Sequence, residues 1–179
     1  MKKAVFLDRD GVINHDHGYT SHPDKFDFID GVFEACQRFI DQGYIIVVVT
    51  NQSGIARGYY TETDFQHLTE WMLAQFAEHG VDIAGVYHCP HHPVSGKGDY
   101  LTNCDCRKPE PGMLLQAAKE LDINLAESII IGDNPTDILA GRKAGLKQCI
   151  LIDEQGNKTK NAKADAAFPS LAQVQFFNQ

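Results

Sequence analysis

Apolar residues fall into two rhythms along the chain. Runs rich in Val, Ile and aromatic residues stand at 4–7, 44–50, 85–88, 128–131 and 148–152. Apolar side chains at successive positions of so short a run predict a strand buried on both faces. Between these runs the spacing changes to three and four. Val32, Cys36, Phe39 and Ile40 share one face of a helix predicted over 31–41, with Gly43 as its stop. Phe65, Leu68, Met72 and Phe76 do the same over 63–79, before Gly80. Met113, Leu114, Ala117, Ala118 and Leu121 predict a third helix, with Pro111 in its first turn. Residues 134–144 predict a fourth, closed by Gly145, and 171–177 a short fifth. Such alternation predicts a three-layer, doubly wound α/β fold around a parallel, Rossmann-like sheet. The expectation is a single domain over 1–179.

Composition narrows the function classes. A formal net charge of -8 argues against a nucleic-acid partner, because such binding draws its affinity from Lys and Arg against phosphates. No apolar run approaches the ~20 residues of a membrane crossing. Met1-Lys2-Lys3 leads into only four apolar residues before Asp8, so the start reads as a strand and not as an export leader, and a cytoplasmic protein is expected. With no obvious exposed apolar helix, a monomer acting on a small molecule is the expectation. Five cysteines are an odd number and suggest no disulfide framework. Cys36 and Cys149 sit in apolar stretches and read as small buried hydrophobes.

In a doubly wound sheet, ligands bind where the strands end. After the first run comes Asp8-Arg9-Asp10-Gly11, two acids two positions apart followed by a residue free to turn. Thr50-Asn51-Gln52-Ser53, a row of small donors, follows the second. Arg107-Lys108-Pro109 precedes the third helix, and Gly132-Asp133-Asn134-Pro135-Thr136-Asp137 follows the fourth run. Carboxylates, hydroxyl and amide donors and a lysine in this order suit Mg²⁺-dependent phosphoryl transfer. One or two carboxylates hold the cation, one acid acts as nucleophile, a second moves the proton, and cationic and neutral donors steady the phosphoryl group.

This ordered set resembles the haloacid dehalogenase superfamily of phosphatases. Carried over position by position, the resemblance implies Asp8 as nucleophile and Asp10 as general acid and base, with Thr50 and Lys108 steadying the phosphoryl group. It implies Mg²⁺ held by Asp8, the backbone carbonyl of Asp10, and Asp133, with Asp137 supporting the site from behind. The spacing between Asp10, Thr50 and Lys108 leaves no room for a separate cap domain, so loops 15–25, 51–60 and 89–108 are expected to form the pocket.

Cys89-Pro90-His91 and Cys104-Asp105-Cys106 offer three thiols and an imidazole, a set suited to a closed, structural Zn²⁺ site on a loop at about 89–106. His88 and His92 compete for the imidazole position, and the family resemblance favours His91. Together with His17-Gly18-Tyr19 and the 51–58 segment, this loop resembles the heptose-bisphosphate phosphatases within the superfamily. That resemblance implies removal of the 7-phosphate of a heptose 1,7-bisphosphate through an aspartyl-phosphate, in ADP-heptose synthesis for lipopolysaccharide. It implies substrate contacts from Asp16, His17, Gly18, Tyr19, Thr50, Asn51, Gln52, Ser53, Arg107, Lys108 and Asn134. Position 134 departs from the family, where Lys is common. Histidinol-phosphate phosphatases, or other small phosphomonoester phosphatases of this fold, are the alternative.

Overall fold

The computed structural model describes residues 1–157 and 163–176. Six parallel strands form its sheet: β1 (Lys3–Leu7), β2 (Tyr44–Asn51), β3 (Ile83–Cys89), β4 (Ile129–Gly132), β5 (Gln148–Ile152) and β6 (Ala166–Phe168), in the order β3-β2-β1-β4-β5-β6. The chain moves outward from β1 through β2 to β3. It then crosses back to β4, on the other side of β1, and continues outward to β6. Leu7 of β1 is therefore in register with Val48 of β2 on one side and Ile131 of β4 on the other. The reversal between β1 and β4 opens a crevice at their carboxyl ends.

Alternate residues of each strand enter opposite layers. Val5, Leu7, Ile46, Val48, Ile129 and Ile131 pack against α1 (Val32–Asp41) and α3 (Glu62–Glu78). Ala4, Phe6, Val47, Val49 and Ile130 pack against α4 (Gly112–Leu121) and α5 (Pro135–Ala144). Side chains such as Ile129 and Ile130 are fully buried, each contributing about 1.5–3 kcal/mol. These two apolar layers fix the strand ends relative to one another. The excursions 8–31 and 90–111 carry only 3₁₀ turns and isolated bridges, with no sheet or helix layer of their own. Among the described residues, no helix is long and apolar enough to cross a membrane.

Five expected strands and four expected helices are present, with ends shifted by a few residues. The α3 start lies before the expected Thr63. Thr61 caps it, accepting from the Asp64 N–H, while the Asp64 carboxylate accepts from the Thr61 N–H. Among the strands and α-helices of the described residues, two were not expected. One is β6, three residues long. The other is α2 (Ser53–Arg57), a short helix directly after β2. The fifth expected helix is corrected to a single 3₁₀ turn, Leu171–Gln173. Ser170 makes no side-chain cap and Val174 is already extended. Phe177 lies outside the described residues.

Candidate active site

Asp8 leaves β1 with its N–H donating to the Ile131 carbonyl at 3.1 Å, so the strand pairing itself places the carboxylate in the crevice. Its Oδ1 accepts from the Arg9 N–H at 2.8 Å and lies 3.1 Å from the Lys108 ammonium. Lys108 is buried. It also donates to the Val49 carbonyl at 2.8 Å and pairs with Asp137 Oδ1 at 2.5 Å. Although burial pulls its pKa down, Asp137 and Asp8 hold the ammonium above its ordinary value. The Asn51 side chain fixes this lysine's backbone, accepting from the Lys108 N–H at 3.0 Å and donating to the Lys108 carbonyl at 3.1 Å.

Asp137 is equally buried, and its Oδ2 accepts from the Asn134 N–H at 3.1 Å in the capping box of α5. Two glycines hold space for the acids. A Cβ at Gly11, where φ is +88°, would meet the Asp133 carboxylate, and one at Gly132 would meet the Asp137 carboxylate. Carboxylate oxygens of Asp8, Asp133 and Asp137 lie within 4.8 Å of one another. Burial and then Asp137 push Asp8 well above the usual carboxylate range. Lys108 opposes that rise, and Asp133 and Asp10 add to it. One ammonium among three close carboxylates leaves a deficit of positive charge that a hard, oxygen-seeking cation would fill, so the donor set fits Mg²⁺.

Asp10 is engaged elsewhere. Its Oδ1 accepts from Arg9 Nη2 at 3.1 Å and Asn14 Nδ2 at 2.9 Å, and its Oδ2 from Gln52 Nε2 at 3.2 Å. Its carboxylate is thus held by three side-chain donors, apart from the cluster of Asp8, Asp133 and Asp137. Gln52 Nε2 also donates to Thr50 Oγ1 at 2.8 Å, while Gln52 Oε1 accepts from the Tyr60 hydroxyl and from Arg9 Nη2.

A cleft of about 480 Å³ opens over these groups. Its walls include Asp8, Asp10, Asp16, Gly18, Tyr19, Asn51, Gln52, Ser53, Arg107, Lys108, Asp133 and Asn134. Two expected contacts lie outside this lining. His17 turns toward Asp27, its Nε2 3.3 Å from Oδ2, because the 8–31 excursion folds the two residues together. Thr50 is buried behind Gln52, with only its hydroxyl in the network. Asn134 is exposed at the rim, and its Oδ1 caps α5 by accepting from the Thr136 N–H. Tyr60, Thr136 and Asp137, which no strand-end motif singled out as substrate contacts, also border the cleft. The buried Arg9 behind Asp10 was missed as well.

Next to the cleft, Gln52 N–H donates to the Cys89 carbonyl at 2.8 Å, tying the end of β3 to the site. Cys89 Sγ lies 3.6 Å from Cys104 Sγ and 3.0 Å from Cys106 Sγ, and His91 Nδ1 lies 3.7 Å from Cys89 and 3.4 Å from Cys106. Three thiols and one imidazole converging on one point, with all four ligand atoms within 4.8 Å of one another, are the chemistry of a closed tetrahedral Zn²⁺ site, so the donor set fits zinc. The competing imidazoles are occupied. His88 stacks on Phe65 and meets Glu62 at 3.1 Å, and His92 Nδ1 accepts from the Val94 and Ser95 N–H groups.

A family profile described as HAD-hydrolase-like matches residues 105–174. The chain is 53% identical over 168 residues to the D-glycero-beta-D-manno-heptose-1,7-bisphosphate 7-phosphatase of Pasteurella multocida, covering 94% of this chain and 91% of the relative. It is 47% identical to the enzyme of that name from Escherichia coli, over 96% and 91% of the two chains. A crystal structure of D,D-heptose 1,7-bisphosphate phosphatase from B. bronchiseptica, complexed with magnesium and phosphate, superposes with a TM-score of 0.80 at 31% identity, covering 95% of this chain and 94% of that one. With these strand-end acids, this lysine and this thiol cluster in one fold, the chain belongs to the D-glycero-beta-D-manno-heptose-1,7-bisphosphate 7-phosphatase family of HAD-like phosphatases.

Proposed function

We propose that this chain hydrolyses the 7-phosphate of D-glycero-beta-D-manno-heptose 1,7-bisphosphate, leaving the heptose 1-phosphate. The observation that carries the reading is the buried Lys108, wedged between Asp8 and Asp137 at the β1/β4 crevice. An ammonium held there meets a phosphoryl group delivered to Asp8.

An Asp8 oxygen attacks phosphorus in line and the bond from phosphorus to the sugar oxygen breaks. Asp10 gives a proton to that departing oxygen. In the second half, Asp10 takes a proton from water as the water attacks the aspartyl-phosphate, releasing inorganic phosphate and the Asp8 carboxylate. Lys108 and the Thr50 hydroxyl steady charge on the phosphoryl oxygens. Asp8, Asp133 and the Asp10 carbonyl would hold Mg²⁺, which supplies further charge neutralisation when bound. Arg107, with Asp16, Gly18, Tyr19, Asn51, Gln52, Ser53 and Asn134, lines the part of the cleft that receives the sugar and its second phosphate. Cys89, His91, Cys104 and Cys106 would hold Zn²⁺ as a staple away from the chemistry.

Relative kcat/KM for the heptose bisphosphate, histidinol phosphate and other sugar phosphates tests the assignment, with phosphorus NMR identifying the phosphate that remains. The expected winner is the heptose bisphosphate, with the 1-phosphate retained. Preference for histidinol phosphate, or loss of the 1-phosphate first, overturns it.

A further inference from the structure

The Arg9, Gln52 and Tyr60 side chains form a linked set beside the two residues that the mechanism uses for protonation and phosphoryl binding. Arg9 is fully enclosed. Its Nη2 donates to the Thr20 carbonyl at 2.9 Å and reaches both oxygens of Asp10, at 3.1 and 3.2 Å. Gln52 is 2% exposed and Tyr60 7%. The orientation of the Gln52 amide follows from its neighbours. A guanidinium can only donate, so the amide end beside Arg9 must be the oxygen. The Tyr60 hydroxyl donates to that same oxygen. Both donors turn the amide NH₂ outward, to Asp10 Oδ2 and to Thr50 Oγ1. With an oxygen lone pair occupied by Gln52, the Thr50 hydroxyl proton is directed away from the amide. The Tyr60 ring is itself held, since it packs so closely on Gly54 that a Cβ there would meet it, and it shares a small core with Ile55 and Phe65.

We propose that Tyr60 is a positioning residue for leaving-group protonation: through Gln52 it fixes the carboxylate of Asp10 in the orientation that delivers a proton to the departing sugar oxygen. Tyr60 is not a catalytic residue in this scheme, because its hydroxyl reaches Gln52 and not the reacting atoms. The inference deepens the proposed function and rests on Asp10 being the leaving-group acid.

Leaving-group dependence separates this role from a merely structural one. A sugar alkoxide is a poor leaving group and needs the proton, whereas p-nitrophenolate departs with little assistance. kcat/KM, which reports the steps up to formation of the aspartyl-phosphate, should be measured for wild type, Tyr60→Phe and Asp10→Asn with heptose 1,7-bisphosphate and with p-nitrophenyl phosphate. Tyr60→Phe removes one oxygen and keeps the ring, and its thermal midpoint shows that the fold is intact. The expected result is a loss of about 10-fold on the sugar phosphate and less than about 2-fold on the aryl phosphate. Asp10→Asn should show the same split, larger. Gly54→Ala, which displaces the ring without removing the hydroxyl, should reproduce the Tyr60→Phe split. Equal losses on both substrates, or none on either, with the Asp10→Asn split present, overturn the role of Tyr60 alone. Absence of a split in Asp10→Asn instead overturns the assignment of Asp10 as the acid.

Discussion

Asp8, Asp133 and Asp137 reach one another from two strand ends and the first turn of a helix, whereas Cys89, His91, Cys104 and Cys106 all come from one continuous stretch of chain. The carboxylates are placed by the sheet. Leu7 and Ile131 are in register, so the strand pairing itself brings the acids after them close. The thiols have no such frame, since beyond the end of β3 their segment contains only a 3₁₀ turn and an isolated bridge. A cluster built on a packed sheet can release its ion and keep its shape. A cluster in a loop without secondary structure has only its own ligation to shape it, so an ion held there would contribute to stability. The two are coupled through Asn51, which faces Cys89 in the β2/β3 register and grips the backbone of Lys108.

The largest expected effect follows from the difference in ligand hardness. Mild EDTA treatment should bring phosphate release to background, and added Mg²⁺ should restore it while zinc analysis still gives about one ion per chain. Loss of both ions together, or of neither, would break the contrast. Next, Asp8→Asn should lower turnover by about 10³-fold or more without lowering the thermal midpoint. It removes one of three acids that repel one another. A midpoint that falls by several degrees would mean that the carboxylate cluster also supports the fold. Cys104→Ser should act in the opposite sense. Zinc content and thermal midpoint fall first, and activity drops by about 10-fold as the loop leading into Arg107 and Lys108 loosens. Full stability with full activity in that variant would remove zinc from the account.

The smallest effect provides a reference outside both clusters. Asp165 accepts from Arg142 at 2.8 Å and from the Cys149 N–H at 2.7 Å. Burial works against it, but these two donors hold its carboxyl below the ordinary value of 3.8. A depressed folded-state pKa gives stability that is complete above the unfolded value and lost as pH falls through the folded one. Asp165→Asn should therefore lower the urea midpoint slightly at pH 7. That deficit should shrink below about pH 4 and disappear in stronger acid. A deficit independent of pH would assign the effect to packing.

The strand-end residues were legible because a parallel sheet turns sequence order into position. Once β1 and β4 are recognised as neighbours, Asp8 and Asp133 at their ends are brought together. The thiol cluster was legible for a different reason, its own spacing. What escaped depends on contacts between distant residues. Tyr60 matters through Gln52, and no periodicity marks that pair. His17 turns to Asp27 only because an irregular excursion folds back on itself. Ala166–Phe168 is too short and too mildly apolar to stand out as a strand until β5 offers it an edge. Leu171 and Val174 have helical spacing and are both buried, yet the turn stops after Gln173 because the burial comes from docking on α1 and the sheet.

Gly11 and Gly132 bear finally on which changes the protein tolerates. At Gly80, where nothing lies within 4 Å of an added Cβ, alanine meets only the penalty of a left-handed backbone, on the order of 1–2 kcal/mol. At Gly132 the same methyl occupies the volume of the Asp137 carboxylate, and at Gly11 that of Asp133. A map of tolerated substitutions scored by phosphate release should therefore rank these two glycines with the acids themselves, although neither brings a functional group to the reaction.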